Sequence, residues 1–225
     1  MSNDANITFD EAKEYTYLKG FAMGRCMPET LQALNFARKA HQNQYRRGGQ
    51  AYIVHPLTMA CQAIAVGIDD DKIIAAILLH DVVEDCNLSL NDLPEEPRIS
   101  RRTKTAIGAL TFVKPACVEG EDVKTYEDRV HFAKKCYYEN IAKDDIASLA
   151  KIIDRCHNIS TMAGAFSKQK LKDYVEETET FVMPLIRSTK DSFPEYQNAL
   201  FILKYHITSV LDSVKGVMTL YESEQ

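Results

Sequence analysis

The chain has 225 residues with 27 Lys+Arg against 32 Asp+Glu, a net charge of −5, so no global field draws it to nucleic acid or to an anionic membrane. Hydrophobic residues make up 45% and charged residues 26%, which excludes a disordered chain and allows a sizeable core in one domain or a tight pair. The longest apolar run, Ile73–Leu79, is far below the ~18 residues that span a bilayer. The opening MSNDANITFD lacks a signal-peptide pattern. Six cysteines with no CxxC pair fit a reducing cytosol better than a zinc cage or a disulfide scaffold.

In chain order, residues 10–22 predict an accessory helix. Thr30–Arg46 carries Leu31, Leu34, Ala37 and His41 at three- and four-residue steps, a helical stripe. Pro56 suits the start of a second helix and Gly67 its end. Asp69, Asp70 and Asp71 open the next, acids at the positive end of the helix dipole. Further helices are predicted at about 98–110, 125–140, 144–163, 168–190 and 194–218, with Pro184 expected to kink or end its helix. Residues 91–97 and 113–124 concentrate Pro, Gly and acid and predict loops. The segment NALFILKYHI is apolar enough either to pack on the core or to form a dimer face. Sustained two-residue alternation and Asn-Gly or Asp-Gly turns are missing. The fold class is all-α, divided into an N-terminal extension (1–29), a core (30–165) and C-terminal helices packed on the same domain (166–225).

Three segments carry chemistry. On a single helix through Ile73–Asp85, at about 100° per residue, Asp81, Glu84 and Asp85 fall within about 140° of His80. Leu79, Val82 and Val83 take the opposite arc. Four titratable groups on one side of a buried helix are costly unless satisfied, and a divalent metal on the His nitrogen and a carboxylate oxygen satisfies them. In Lys151–Thr161, the residues Asp154, Asn158 and Thr161 stack on one face, with Ala147 and Ala150 extending it upstream. Tyr45–Pro56 (YRRGGQAYIVHP) is a basic loop closed by His55, whose Arg46 and Arg47 suit phosphate and whose Gly48 and Gly49 admit a ligand to the backbone. His41, His131, His206 and His157 are read as hydrogen-bonded core residues, and Arg98, Arg101, Arg102 and Lys104 as a solvated face.

AHQNQYRRGGQAYIVHP, AAILLHDVVEDC and KIIDRCHNIST resemble the hydrolase domain of the RelA/SpoT enzymes, within the HD-domain metal-dependent phosphohydrolases. The resemblance covers about residues 30–165 and implies an HD-domain helical bundle in a free-standing small alarmone hydrolase. That domain removes pyrophosphate from the 3′ position of guanosine tetra- and pentaphosphate, giving GDP or GTP. The resemblance implies His55, His80, Asp81 and Asp154 as ligands of one divalent ion, Mn2+. It makes Glu84 and Asp85 the catalytic acidic pair, and Arg46, Arg47, Asn158 and Thr161 nucleotide contacts. The family's Ser/Thr-Gly-Glu-Pro is replaced by Gly48-Gly49-Gln50-Ala51, and its Arg by Ser160. Other phosphorylated nucleotides, such as NADPH or adenosine alarmones, remain alternative substrates, and a non-catalytic nucleotide-binding regulator is the alternative to an enzyme. The expected setting is the cytoplasm, with no nucleic acid or membrane partner. A homo-oligomer or a paired toxin synthetase stays open.

Overall fold

The computed structural model describes residues 10–46, 49–162 and 165–223. Its helices are α1 (Glu11–Gly24), α2 (Pro28–Ala40), α3 (Val54–Ala65), α4 (Asp71–Leu79), α5 (Val82–Asp85), α6 (Arg101–Leu110), α7 (Val123–Ile141), α8 (Asp145–Thr161), α9 (Lys168–Glu177), α10 (Met183–Ser192) and α11 (Gln197–Ser223). Asp70, Ser100, Asp122, Asp144 and Ser167 each cap the helix that follows with a side-chain oxygen on its first free N–H groups, donors that the helix leaves unpaired. Among the described residues the single β-type pairing is a bridge between Tyr45 and Ala51. The fold is all-α.

α4 is the hub. Every residue from Ile73 to Leu79 is buried, so this helix is apolar around its circumference and needs neighbours on all sides. α2, α3, α6 and α8 supply them. Asp71 accepts from the backbone N–H groups of Glu29 (3.1 Å) and Thr30 (2.7 Å), an anion on the positive end of α2. The Glu29 carboxylate in turn accepts from Thr103 Oγ1 at 2.6 Å and from Ser100 N and Oγ at 3.1 Å, tying α2 to the start of α6. α1 packs on α2 and α3, while α10 and α11 lie against α8.

Several expected elements differ. The Thr30–Arg46 stripe stops at Ala40: Asn43 takes a left-handed conformation (φ 68°), which a short polar side chain tolerates but a helix does not. The span 168–190 is interrupted by a π-helical turn, Thr178–Val182. Pro184 has no N–H for the carbonyl four residues back, and the chain widens just before it rather than ending. In α11, Leu200, Leu203, Ile207 and Leu211 are buried, whereas Phe201 and Tyr205 are 69% and 71% exposed. One side of NALFILKYHI therefore packs on the core and the other meets solvent.

Candidate metal centre

Three buried side chains converge from three helices: His55 from the first turn of α3, His80 from the end of α4, and Asp154 from α8. One donor atom from each lies within 4.8 Å of the others. His55 Nε2 is 3.3 Å and His80 Nε2 3.8 Å from Asp154 Oδ1. Asp81 adjoins this trio, with Oδ1 3.0 Å from His80 Nε2 and Oδ2 3.6 Å from His55 Nε2.

The single helix expected through Ile73–Asp85 is broken. α4 ends at Leu79, His80 and Asp81 form a turn, and α5 resumes at Val82. The His80 ring sits at this break: its Nδ1 lies 2.7 Å from the Ile77 carbonyl, the acceptor of the Asp81 N–H in a continuous helix, and such side-chain bonds compete with the ladder. This bond has a second consequence. With Nδ1–H donated to a carbonyl, the neutral ring presents its Nε2 lone pair to the cluster, as a metal-ligating histidine requires. His80 Nε2 is buried and makes no hydrogen bond, despite its closeness to Asp81. A buried nitrogen left without a partner among carboxylates fits a cation site.

The cluster's charges point the same way. Burial opposes a proton on His80, but Asp81 and Asp154 outweigh it and raise the ring to about 9. The two carboxylates thus call for positive charge, which a proton or a divalent ion supplies. Burial would raise Asp154, yet the Lys151 ammonium, 2.9 Å from its Oδ2, holds it well below the usual carboxylate range. His157, from α8, meets His55 ring to ring, Nδ1 to Nδ1 at 2.8 Å. Burial, then the neighbouring His55 and Arg46, push His157 down to about 3, so it is neutral.

The remaining expected residues surround this centre. Glu84 and Asp85 lie on the exposed side of α5. Partial desolvation raises the Glu84 carboxyl, Lys151 pulls it down, and Asp81 and Asp85 add to the rise. The Tyr52 hydroxyl sits between Asp81 Oδ2 (2.7 Å) and Asp85 Oδ2 (2.6 Å). Arg46 donates to Asn158 Oδ1 at 2.8 Å, and Asn158 donates in turn to Asp154 Oδ1. The Thr161 hydroxyl turns back onto the carbonyls of His157 and Asn158 at 3.3 Å. Gly49 takes a φ of 82°, a turn conformation that favours glycine. Arg47 and Gly48 lie outside the described residues. Sequence reading missed Tyr52, Lys151 and His157. Lys151 and His157 stand three residues before and after Asp154, a spacing that puts each near its helix face, whereas Tyr52 carries no such signal. His157 is correctly a hydrogen-bonded buried residue, but its partner is His55 of the cluster.

A bundle whose central helix ends in His-Asp, with further histidine and aspartate brought in from flanking helices, defines a class, and sequence comparison agrees. Residues 33–110 match the family model described as HD domain. That segment carries an HD domain, and the relatives the chain resembles are of the RelA/SpoT hydrolase type. It is 30% identical over 157 residues (70% of this chain, 21% of the relative) to a guanosine-3′,5′-bis(diphosphate) 3′-pyrophosphohydrolase of Aquifex aeolicus. It is 31% identical over 163 residues (68% and 21%) to the bifunctional (p)ppGpp synthase/hydrolase SpoT of Escherichia coli. It thus spans about a fifth of the length of the curated relatives it matches. A solved structure described as a metazoan ortholog of SpoT that hydrolyzes ppGpp shares the fold, with a TM-score of 0.59 at 20% identity over 82% of this chain and 94% of that one.

Proposed function

We propose that the chain hydrolyses the 3′-pyrophosphate of guanosine tetra- and pentaphosphate, releasing pyrophosphate and GDP or GTP, in the cytosol. The observation that carries this reading is the buried His55–His80–Asp154 trio with its unpartnered His80 Nε2. His55, His80, Asp81 and Asp154 would hold one Mn2+. When bound, such an ion supplies a water of lowered pKa and offsets charge on the phosphoryl oxygens.

The other roles follow from the chain's own groups. Glu84, whose carboxyl burial and the Asp81 and Asp85 charges raise and Lys151 lowers, orients the attacking water and accepts its proton. Asp85, fixed by Tyr52 Oη and by the Gln44 side chain on its carbonyl, handles protons at the same mouth. Arg46, already hydrogen-bonded to Asn158, grips phosphate together with Arg47, and Asn158 and Thr161 line the nucleotide's path. Residues 30–165 form the catalytic unit, with 1–29 and 166–225 supporting it.

The test is a screen of guanosine tetraphosphate, adenosine alarmones and NADPH with Mn2+, reading pyrophosphate against free phosphate. Pyrophosphate released from the guanosine substrate is the expected result. Phosphate from NADPH alone would move the reading to another nucleotide, and no turnover on any substrate would leave a binding module.

A further inference from the structure

His55 Nδ1 and His157 Nδ1 lie 2.8 Å apart between rings only 2% and 6% exposed. Two bare lone pairs at that separation repel and two protons collide, so one proton lies between them. There are two ways to place it. On His157, it leaves neutral His55 protonated at Nε2, aimed at Asp154 Oδ1 3.3 Å away and closed to a cation. On His55, it frees the Nε2 lone pair toward His80 and Asp154.

We propose that His157 is a positioning residue for the metal centre: its Nδ1 accepts the Nδ1 proton of His55 and so turns the His55 Nε2 lone pair into the cluster. This rests on the metal reading above and deepens it. His80 receives the same service from the Ile77 carbonyl. For His55 the acceptor is a side chain, and it stands on α8 three residues after Asp154. The orientation of one ligand on α3 is thereby tied to the helix that carries another, and His157 must be the tautomer protonated at Nε2.

The test is calorimetric titration of the chelated, dialysed chain with Mn2+ for the parent, His157→Asn and His157→Leu, with thermal melts of the metal-free proteins as the control for folding. Asparagine carries an oxygen near the place of Nδ1 and keeps an acceptor, whereas leucine removes it. The expected result is a loss of about 10–100-fold in affinity for His157→Leu and only a few-fold loss for His157→Asn. Nitrogen-15 NMR of the parent loaded with Zn2+, a diamagnetic stand-in, decides the matter should the leucine variant not fold: His55 should be protonated at Nδ1 and His157 at Nε2. Equal affinities for parent and His157→Leu, equal losses in both variants, or the reverse tautomers would overturn the proposal alone. A parent that binds no Mn2+ would overturn the metal reading and this inference with it.

Discussion

The two helices that build the centre behave differently. α8 runs unbroken from Asp145 to Thr161, and the face expected from helical spacing, with Asp154 and Asn158, points where that spacing puts it. α4 stops at Leu79 although its apolar pattern continues into Val82 and Val83. Periodicity reports which side of a helix is buried. It does not report a side chain that takes a backbone acceptor, as the His80 ring takes the Ile77 carbonyl. Continuity suits the helix that must hold Lys151, Asp154 and His157 in register. The break suits the segment that must turn His80 inward and leave Glu84 and Asp85 on the exposed side.

Substitutions on each side can break that contrast. Asp154→Asn on α8 should have the largest effect. A neutral amide replaces an anionic ligand and leaves the Lys151 ammonium without its partner, so Mn2+ binding by calorimetry and all turnover should vanish. Stability should fall by about 3 kcal/mol in a denaturant melt, the order expected for breaking a buried pair. Glu84→Gln, on the far side of the break, should keep metal binding and lower kcat by about 10²–10⁴ with little change in KM, the pattern of a group acting in the transition state. Loss of the metal instead would make Glu84 a ligand.

Arg46→Ala sharpens the comparison with the loop. It should raise KM by roughly 10-fold while metal content stays unchanged, because it removes ground-state binding. Unaltered nucleotide affinity in equilibrium binding would leave Arg46 as a brace for Asn158 only.

The smallest effect lies away from the site, where α1 meets α3. Glu14 accepts from Thr58 Oγ1 at 2.9 and 3.0 Å, and burial, opposed by that bond, raises its carboxyl to about 7. A raised acid favours folding while protonated, so its contribution is full below about pH 4.5 and is lost as pH rises through about 7. Glu14→Gln should therefore match the parent near pH 4.5 and exceed it near pH 8 by no more than about 1 kcal/mol, given solvent screening. Melting temperatures of both proteins at the two pH values check this, and a variant less stable at pH 8 would refute it.

Much of the fold is legible in the residues because its signals are local. Asp70 and Asp144 cap α4 and α8, Gly67 takes the positive φ that ends the α3 segment, and the apolar Ile73–Leu79 run marks the central helix. The His-Asp dipeptide, His55 and Asp154 could be named because their types and order are distinctive. What was hidden is long-range or geometric. Tyr52 reaches Asp81 and Asp85 across about thirty residues of chain, and His157 finds His55 more than a hundred residues away. The π turn before Pro184 lies beside Arg155, whose guanidinium donates to Thr178 Oγ1 at 3.4 Å, lies 3.9 Å over the Tyr174 ring and binds Glu177. No periodicity reports such partners.

The central claim is a metal-dependent release of pyrophosphate, and its most direct measurement titrates Mn2+ into the chelated chain with guanosine tetraphosphate present while pyrophosphate and phosphate are counted. The account predicts no product before the first addition, then pyrophosphate rising to a plateau at one bound ion per chain, with no free phosphate. Full turnover by protein shown to be metal-free, or phosphate in place of pyrophosphate, would contradict it.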